Sequence, residues 1–516
     1  MNEDSPIVPK HVAYGLLGLV VLYAVVRSVF AAAARPFWYD ELMTLAVSTQ
    51  GTWRGIVTAL RAPLDGQPPP SYLIESFALK LPASQEIALR VPSVIAFVVT
   101  LVCVFLYMKR TSGEIVGLLC ASSLLATALF HTYAIEARPY SMVVACLAFA
   151  LFCYDRVSSP LWTALFAVAL ASAQALHYLA FLAMFPFGLA EMVYTLRANR
   201  IRWSVWAALG FGMLPLAIFW PLLSEFNAYY GAHNWSRLYS ILPQQAYGEV
   251  LDLGWHKAEI VSIIAFILLF RQLYQRLKNG HADKDGDARD LSQVAMAIGF
   301  LLLPFVAWCV VTYMQSGLIG RYVLSTVLGL PVALGIILHR ANKKWIIAVG
   351  LVLAFVVGRR EIRFWKSLPA GLAEVHSLYA SGPDRLVAES RLDDLVVVVP
   401  SVLVALPVAH YASPSIAKRL VFVTQDPEPE NPSYTDTSDK EARLYQAYSP
   451  LRVWTYADLT NGRRAFLLLL SDRSVLGAWL PTRLLKSNWS IRTIDTAGDF
   501  HLYFVEHPNG DSAPPK

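Results

Sequence analysis

Long apolar runs, separated by short polar segments, occupy most of the chain before residue 359. A helix of about 20 apolar residues crosses a bilayer hydrocarbon core of about 30 Å. The pattern therefore predicts about eleven transmembrane helices. The runs lie at 12–34, 90–108, 114–131, 140–154, 160–176, 178–196, 203–223, 258–276, 292–313, 322–339 and 344–358.

The pattern changes after residue 359, where short apolar segments alternate with polar ones. The segments "DDLVVVVP" at 393–400, "RLVFVTQ" at 419–425 and "RAFLLLL" at 464–470 predict short buried strands. A helical pattern around "EARLYQAY" lies between them, and Ala497-Gly498-Asp499 predicts the turn of a closing hairpin. We therefore expect a polytopic α-helical membrane domain at 1–358 and a small α/β domain at 359–516.

The composition agrees with a membrane protein. Of the 516 residues, 56% are hydrophobic and 16% are charged, whereas an ordinary soluble domain carries about 25% charged residues. The mean hydropathy is +0.46. The five cysteines lie in apolar runs without the spacing of a zinc site or a disulfide framework, so we expect them to pack as small apolar side chains.

Basic residues are concentrated in one set of connections between the runs. If the N-terminus is cytoplasmic, the inner connections hold most of the Lys and Arg residues, as the positive-inside rule requires. The inner residues are Lys109, Arg110, Arg156, Arg197, Arg200, Arg202, Arg271, Arg276, Lys278, Lys284, Arg289, Arg340, Lys343 and Lys344, and the outer ones are Arg138, Arg237, Lys257 and Arg321. An odd number of helices then makes the α/β domain extracytoplasmic. The first outer loop, at 35–89, is expected to form short helices at the membrane interface.

The segment "FWYDEL" in this loop places Asp40 and Glu41 directly after three aromatic residues. These acids are either solvated loop charges or catalytic groups. The first interpretation suits their position, because a carboxylate near the interface costs little free energy compared with one at mid-bilayer. In the second interpretation one of them is a general base that works beside the membrane. Neighbouring residues of a helix do not share a face, so different roles are expected for the two acids.

The segment "LDGQPPPSYL" contains three successive prolines at 68–70. Prolines in a row favour an extended, stiff backbone. The segment is either a rigid spacer or a fixed edge that positions Gln67, Ser71 and Tyr72 over a cavity.

The segment "HTYAIEARPY" crowds His131, Glu136, Arg138 and Tyr140 into one predicted outer loop. Glu136 and Arg138 form either a surface ion pair or part of an anion site, since a guanidinium group matches phosphate oxygens.

Two further arginines, Arg321 in "GRYVL" and Arg90 in "ALRVPS", lie at the outer ends of predicted helices. Each either extends to lipid head groups or binds a phosphate.

These motifs together, from Asp40-Glu41 through "QPPPSYL", "ALRVPS" and "EARPY" to "GRYVL", resemble the GT-C membrane glycosyltransferases. The resemblance is to the bacterial branch related to dolichyl-phosphate-mannose–protein mannosyltransferases and to the lipid A aminoarabinose transferase. It implies transfer of a hexose or pentose, with inversion, from a polyprenyl-phosphate donor to a hydroxyl of a lipid, glycan or protein. The reaction would take place on the outer face of a bacterial inner membrane.

The resemblance also implies roles for individual residues. Asp40 matches the family's catalytic acid, and we expect Arg138, Arg321 and Arg90 to bind phosphate. Donor or acceptor contacts are expected from Glu41, Gln67, Tyr72, Glu136 and Tyr140. Many members carry His where this chain has Gln67, which leaves donor preference or a metal contact at that position open. The sequence has no convincing cluster of metal ligands, so we favour a reaction without a metal cofactor, although a divalent cation stays possible.

A membrane transporter or lipid flippase is the main alternative function. Such proteins often place ionisable residues near the bilayer midplane within repeated halves. Here the notable charges lie at the outer ends of the runs, and the chain shows no internal repeat. A scaffold whose C-terminal domain binds a partner is a second alternative, but it leaves the outer acids and arginines without a role. A nucleic-acid partner is not indicated.

Overall fold

The computed structural model describes residues 9–237, 239–251, 263–264, 267–271, 275, 284–339, 341–378, 382–425 and 434–507. The predicted transmembrane run at 258–276 lies largely outside these described residues. The other ten runs all coincide with helices or with two or three consecutive helical segments.

Helices dominate the first part of the chain. They are α1 (Lys10–Ala33), α2 (Tyr39–Ser48), α3 (Trp53–Arg61), α4 (Pro69–Ala78), α5 (Gln85–Ser112), α6 (Glu114–Ser123), α7 (Ala128–Ala134), α8 (Tyr140–Tyr154), α9 (Pro160–Leu176), α10 (Met184–Ala198), α11 (Trp203–Gly212), α12 (Leu214–Tyr230), α13 (Pro243–Leu251), α14 (Lys284–Tyr313), α15 (Gly329–Leu338) and α16 (Lys343–Leu378). Tight 3₁₀ turns at Tyr178–Ala183 and Gly320–Leu328 lead into α10 and α15.

Six helices among the described residues are long and apolar enough to cross a membrane. They are Lys10–Ala33, Gln85–Ser112, Tyr178–Ala198, Trp203–Tyr230, Asp285–Tyr313 and Gly320–Leu338. Shorter apolar helices at Glu114–Ala126, Tyr140–Tyr154 and Pro160–Leu176 accompany them. The chain is therefore a mostly helical, multi-pass membrane protein with a small C-terminal sheet, which confirms the predicted fold class. The count of eleven transmembrane helices stays a prediction.

The chain folds into two compact units. The first, here called the helical unit, contains residues 1–32, 67–224 and 236–366, and the second, the C-terminal unit, contains residues 33–66, 225–235 and 367–516. Part of the first predicted loop therefore groups with the C-terminal residues, and the units separate after 366. The predicted domain boundary at 358 and 359 remains a prediction.

Within the helical unit, α5 packs against α6 and α8, α8 against α9, and α10 against α14. Buried Leu, Val, Ala and Phe side chains fill the spaces between these helices, and Cys103, Cys120 and Cys153 are buried among them as expected. Cys309 is exposed on α14, so the expectation of a packing role is wrong for that residue.

The three prolines at 68–70 do not form an extended segment, which corrects the sequence prediction. Only Pro68 is extended, with φ −65° and ψ 151°, and it is the residue that precedes α4. Pro69 and Pro70 form the first positions of the helix. Proline suits these positions because its fixed φ is already helical and the first helical N–H groups have no partner within the helix.

The C-terminal unit contains a six-stranded sheet with the order β3-β2-β1-β4-β6-β5. The strands are β1 (Val397–Val399), β2 (Leu420–Thr424), β3 (Arg452–Thr455), β4 (Ala465–Ser471), β5 (Ser490–Ala497) and β6 (Phe500–Glu506). The helices of this part are α17 (Gly382–Glu389), α18 (Val402–Tyr411), α19 (Pro414–Ala417), α20 (Thr437–Tyr445), α21 (Tyr456–Gly462) and α22 (Trp479–Lys486).

Strands β1 to β4 are parallel, and β5 and β6 form an antiparallel hairpin on β4. Every residue of β1 and β2 is buried, as expected for parallel strands that are covered on both faces. The predicted strands, the helix around 441–448 and the hairpin are confirmed. Strand β3 was not predicted.

The first part of the 33–66 segment is fixed to the C-terminal sheet region within the same unit. The backbone N–H of Phe37 donates to the Tyr411 hydroxyl at 2.8 Å, and the Phe37 ring lies 5.9 Å from the His410 ring. Helix α2, which carries Asp40 and Glu41, packs against α18. The two acids are thus held by an ordered helix rather than by a flexible loop.

Candidate functional site

Helix α5 anchors the "EARPY" segment. The Ser93 hydroxyl donates to the backbone carbonyl of Glu136 at 2.7 Å, so the "ALRVPS" and "EARPY" motifs meet within the helical unit. Glu136 is 1% exposed and Arg138 is 5% exposed. The interpretation of these two residues as a surface ion pair is therefore wrong, because neither side chain is at the surface. A buried guanidinium group near a membrane needs an anionic or hydrogen-bonding environment.

Aromatic rings connect "EARPY" with "GRYVL" through His177. The His177 ring lies 5.1 Å from the Tyr140 ring and 6.1 Å from the Tyr322 ring. The guanidinium carbon of Arg321 lies 5.9 Å from the centre of the Tyr140 ring and 6.0 Å from that of Tyr322. We call Tyr140, His177, Arg321 and Tyr322 the His177 cluster.

His177 lies in the turn between α9 and the 3₁₀ segment at Tyr178–Ala183, and its ring is held in one orientation. The backbone N–H of Leu179 donates to Nδ1 at 3.0 Å, so the neutral ring carries its proton on Nε2. Burial, followed by the positive charges of Arg138 and Arg321, lowers the pKa of His177 to about 3. The ring is therefore a neutral donor, and both arginines are close enough to act on it.

The Nε2 atom of His177 is buried and makes no hydrogen bond within the described part of the chain. A buried donor without a partner costs about 1–3 kcal/mol. An uncompensated donor close to two arginines points to an anionic ligand that would accept its hydrogen bond.

Glu249 on α13 lies against the start of the "GRYVL" segment. A Cβ atom at Gly320 would lie 1.9 Å from the Glu249 carboxylate oxygen Oε2, so a side chain at this position would clash with the carboxylate. Because Gly320 has no side chain, the Glu249 carboxylate lies directly beside its backbone, next in sequence to Arg321. Burial raises the pKa of Glu249, and the protonated form persists above its ordinary range.

The residues of the "QPPPSYL" segment lie at or near α4, which packs against α5 and α9. Tyr72 is 1% exposed, whereas Gln67 is half-buried and its Oε1 accepts no hydrogen bond from the described residues. The fully buried Arg90 donates from Nη1 to the carbonyl of Ala32 at 2.6 Å, where it binds one of the last carbonyls of α1. The contacts of Gln67 and Tyr72 with a substrate, and of Arg90 with a phosphate, stay predictions.

Asp40 and Glu41 occupy the first turn of α2 in the C-terminal unit. The fully buried Glu41 accepts the backbone N–H of Trp38 at 3.4 Å and so caps the helix. Asp40 is half-buried at the N-terminal end of the same helix. The two acids have different environments, as expected from their adjacency. Their catalytic and donor-binding roles stay predictions.

The structure therefore brings together Arg138, Tyr140 and Arg321 of the predicted site residues, around His177. Asp40 and Glu41 belong to the other compact unit, so the expectation that they meet these arginines stays a prediction. Neither His177 nor Glu249 was predicted as a site residue. The only signal for His177 was a histidine between two adjacent apolar runs.

Metal ligands of the usual kind are not grouped in the described ranges, where no three His, Cys, Asp or Glu side chains could jointly hold an ion. The expectation of a reaction without a metal cofactor stays a prediction.

Comparisons with known proteins agree with the motif order. Residues 66–224 match the family model of dolichyl-phosphate-mannose-protein mannosyltransferase. This range includes Gln67, Arg90 and "EARPY". No curated protein sequence matches the chain.

Solved structures of ArnT from Cupriavidus metallidurans share the fold over almost the whole length. The apo structure is 13% identical with a TM-score of 0.59, and the match covers 96% of this chain and 98% of that chain. The structure bound to undecaprenyl phosphate is 14% identical with a TM-score of 0.55, and it covers 97% and 99%, respectively. The predicted resemblance to GT-C membrane glycosyltransferases is thereby confirmed, with the family model matching 66–224 and the solved structures sharing the fold.

Proposed function

We propose that this protein transfers a sugar from a polyprenyl-phosphate donor to a hydroxyl group of a lipid, glycan or protein acceptor. The observation that carries the proposal is the placement of Arg138 and Arg321 around the neutral, buried His177. Two fixed cations and one fixed donor suit the phosphate of such a donor. The fold match to an ArnT structure bound to undecaprenyl phosphate supports this ligand class.

In the proposed reaction, the acceptor oxygen attacks the anomeric carbon while the bond from that carbon to the phosphate oxygen breaks. The leaving polyprenyl phosphate gains negative charge, which Arg138, Arg321 and the Nε2–H of His177 stabilise. Asp40 takes the proton of the attacking hydroxyl. Attack on the face opposite the phosphate inverts the anomeric centre.

The proposed location is a bacterial inner membrane, with the N-terminus in the cytoplasm and the C-terminal sheet outside. This orientation rests on the distribution of Lys and Arg among the connections. It gives the lipid carrier access from the bilayer, while the acceptor approaches from outside.

A transfer assay tests the proposal. Purified protein is incubated with a panel of undecaprenyl-phosphate sugars, hexoses and pentoses, and with lipid, glycan or protein acceptors that carry hydroxyl groups. The release of undecaprenyl phosphate is measured. Wild-type protein should consume one of these donors, and Asp40→Asn should lower the rate by about 10²–10⁴-fold, the usual contribution of a general base. The exposed Asp394→Asn of the same unit is the matched control and should keep full activity. Full activity of Asp40→Asn would refute its role as the base.

A further inference from the structure

A groove of about 800 Å³ lies on the helical unit between α1, α6 and α16. Small and apolar side chains form most of its surface, including Val20, Leu118, Gly350 and Val357. The neighbouring faces of α1 and α16 expose further large apolar side chains, as helices in contact with lipid do. The groove therefore suits hydrocarbon chains rather than water.

One end of the groove is polar and built from α1 and α16. Glu361 Oε2 accepts a hydrogen bond from Arg27 Nε at 2.7 Å and another from the Tyr23 hydroxyl at 2.6 Å. Trp365 Nε1 donates to the same hydroxyl at 3.0 Å. These bonds fix the carboxylate of Glu361 at the edge of the groove, where Tyr23, Trp365 and Lys366 also line its surface.

The second carboxylate oxygen of Glu361, Oε1, differs from the first in its hydrogen bonding. The residue is 7% exposed, and Oε1 accepts no hydrogen bond from the described residues. His131 Nε2 lies 3.8 Å away, beyond hydrogen-bond distance, and is itself 3.0 Å from the Leu125 carbonyl. Since buried carboxylate oxygens are nearly always bonded, this atom indicates a missing hydrogen-bond donor at the polar end of the groove.

The charge at this end is positive. Lys366 lines the groove and Arg27 contacts Glu361, so two cations accompany one acid. Glu361 already neutralises Arg27 by direct contact. A ligand that brings a negative charge together with a neutral donor therefore complements the site better than one that brings an ammonium group.

We propose that the groove binds a phospholipid with an anionic, hydroxylated head group of the phosphatidylglycerol type. Its chains lie in the apolar groove, a head-group hydroxyl donates to Glu361 Oε1, and the phosphate diester lies near the Lys366 ammonium group. A polyprenyl phosphate fits less well, because its monoester carries no hydroxyl donor when doubly ionised and then places two charges beside a carboxylate. This site does not depend on the proposed glycosyl transfer.

The test uses full-length protein, stripped of lipid in detergent and measured by native mass spectrometry. Wild-type protein should retain one molecule of dioleoylphosphatidylglycerol at a concentration at least tenfold below that needed for dioleoylphosphatidylcholine, which has the same chains. A Cβ atom at Gly358 meets only open space, so Gly358→Leu fills the groove without backbone strain and should lower retention at least tenfold. Gly188→Leu on α10, where a Cβ atom also meets open space, is the matched control.

A protein variant at the polar end of the groove tests the effect of charge separately from the effect of filling the groove. Lys366→Ala should remove the preference for phosphatidylglycerol over phosphatidylcholine, whereas Lys344→Ala at the other end of α16 should leave it unchanged. If Gly358→Leu does not fold, Gly350→Leu replaces it, because its Cβ atom makes only an ordinary contact at 3.4 Å with Leu119. Equal retention of both lipids by wild-type protein, unchanged retention in both filled variants, or displacement of the bound lipid by equimolar undecaprenyl phosphate would each overturn the proposal.

Discussion

Two buried polar clusters of the helical unit, only a few turns apart along the chain, differ in how their hydrogen bonds are completed. In the first, called the Glu191 cluster, Arg202 donates to both carboxylate oxygens of Glu191, and the Tyr154 hydroxyl donates to Oε2 at 3.1 Å. The side chains of this cluster bond to one another and join α8, α10 and the start of α11. In the His177 cluster, by contrast, Nε2 of His177 bonds to none of the described residues.

This difference in hydrogen bonding distinguishes a cluster that stabilises the fold from one that binds a ligand. A buried ion pair that is fully bonded contributes to a unique packing and is costly to break. A buried donor that the described protein does not satisfy is costly to keep, so a ligand that completes it gains the corresponding energy on binding. Variants of the two clusters should therefore affect different measurements.

Glu191→Ala should have the largest effect, and on stability. The change leaves the partly buried Arg202 charge without its carboxylate, which costs about 3 kcal/mol, the lower end for a broken buried pair. The apparent melting temperature in detergent should fall sharply, whereas the exposed Glu225→Ala should leave it unchanged. An unaltered melting temperature for Glu191→Ala would mean that the Glu191 cluster does not hold the helices together.

Arg321→Ala should affect catalysis and leave stability nearly unchanged. Loss of one preorganised donor to developing charge lowers kcat by about 10²–10³-fold. Arg321→Lys should recover part of the rate, because it restores the charge without the planar guanidinium group. Arg237→Ala removes an exposed arginine and serves as the control. A loss of melting temperature in parallel with activity would assign Arg321 to packing instead.

His177→Phe sharpens the contrast, because it keeps a ring between Tyr140 and Tyr322 and removes the Nε2 donor, together with the Nδ1 acceptor of the Leu179 N–H. A hydrogen bond to a charged group contributes about 1.5–3 kcal/mol, so the affinity for undecaprenyl phosphate should fall at least about tenfold. The melting temperature should change little, since the loss of an unsatisfied donor offsets the loss of the hydrogen bond from the Leu179 N–H. His339→Phe, at an exposed position, should change neither quantity. A lower melting temperature with unchanged affinity would contradict the proposed role.

Glu249→Gln should have the smallest effect, seen only as a change in pH dependence. Because burial raises the pKa of Glu249, its carboxyl is neutral up to a pH above its ordinary range and becomes negative beyond it. In wild-type protein, this new charge should weaken undecaprenyl phosphate binding as the pH rises through the raised pKa, by about 1 kcal/mol or about fivefold. Glu249→Gln mimics the neutral form and should lack this step, whereas identical pH profiles would exclude Glu249 from the site.

The apolar runs predicted the helices well, because lipid-facing and buried helices both need continuous apolar sequence. They did not predict the polar start of α14, where Lys284 to Asp290 extend the helix before the apolar run at 292–313. The strand β3 escaped prediction for a related reason. Its four residues are only partly buried and lack the apolar run of β1 or β2.

The candidate site was only partly predictable. Arg138 and Arg321 are conspicuous because charged residues near a membrane are rare. His177 gained its importance from rings that lie far from it in sequence, at Tyr140 and Tyr322, and from a backbone hydrogen bond that fixes its proton. The position of the Glu249 carboxylate depends on the absence of a side chain at Gly320. Such relations arise only in the folded chain, and no local pattern of residues encodes them.

Direct titration with undecaprenyl phosphate tests the central claim, that Arg138, Arg321 and His177 form a phosphate site. Binding is measured for wild-type protein and for Arg138→Ala/Arg321→Ala, with Arg237→Ala as the control. We expect saturable binding by the wild type and a loss of at least about 100-fold in the double variant, at about 1.5–3 kcal/mol for each charge-assisted contact. An equal dissociation constant for the folded double variant and the wild type would contradict the account.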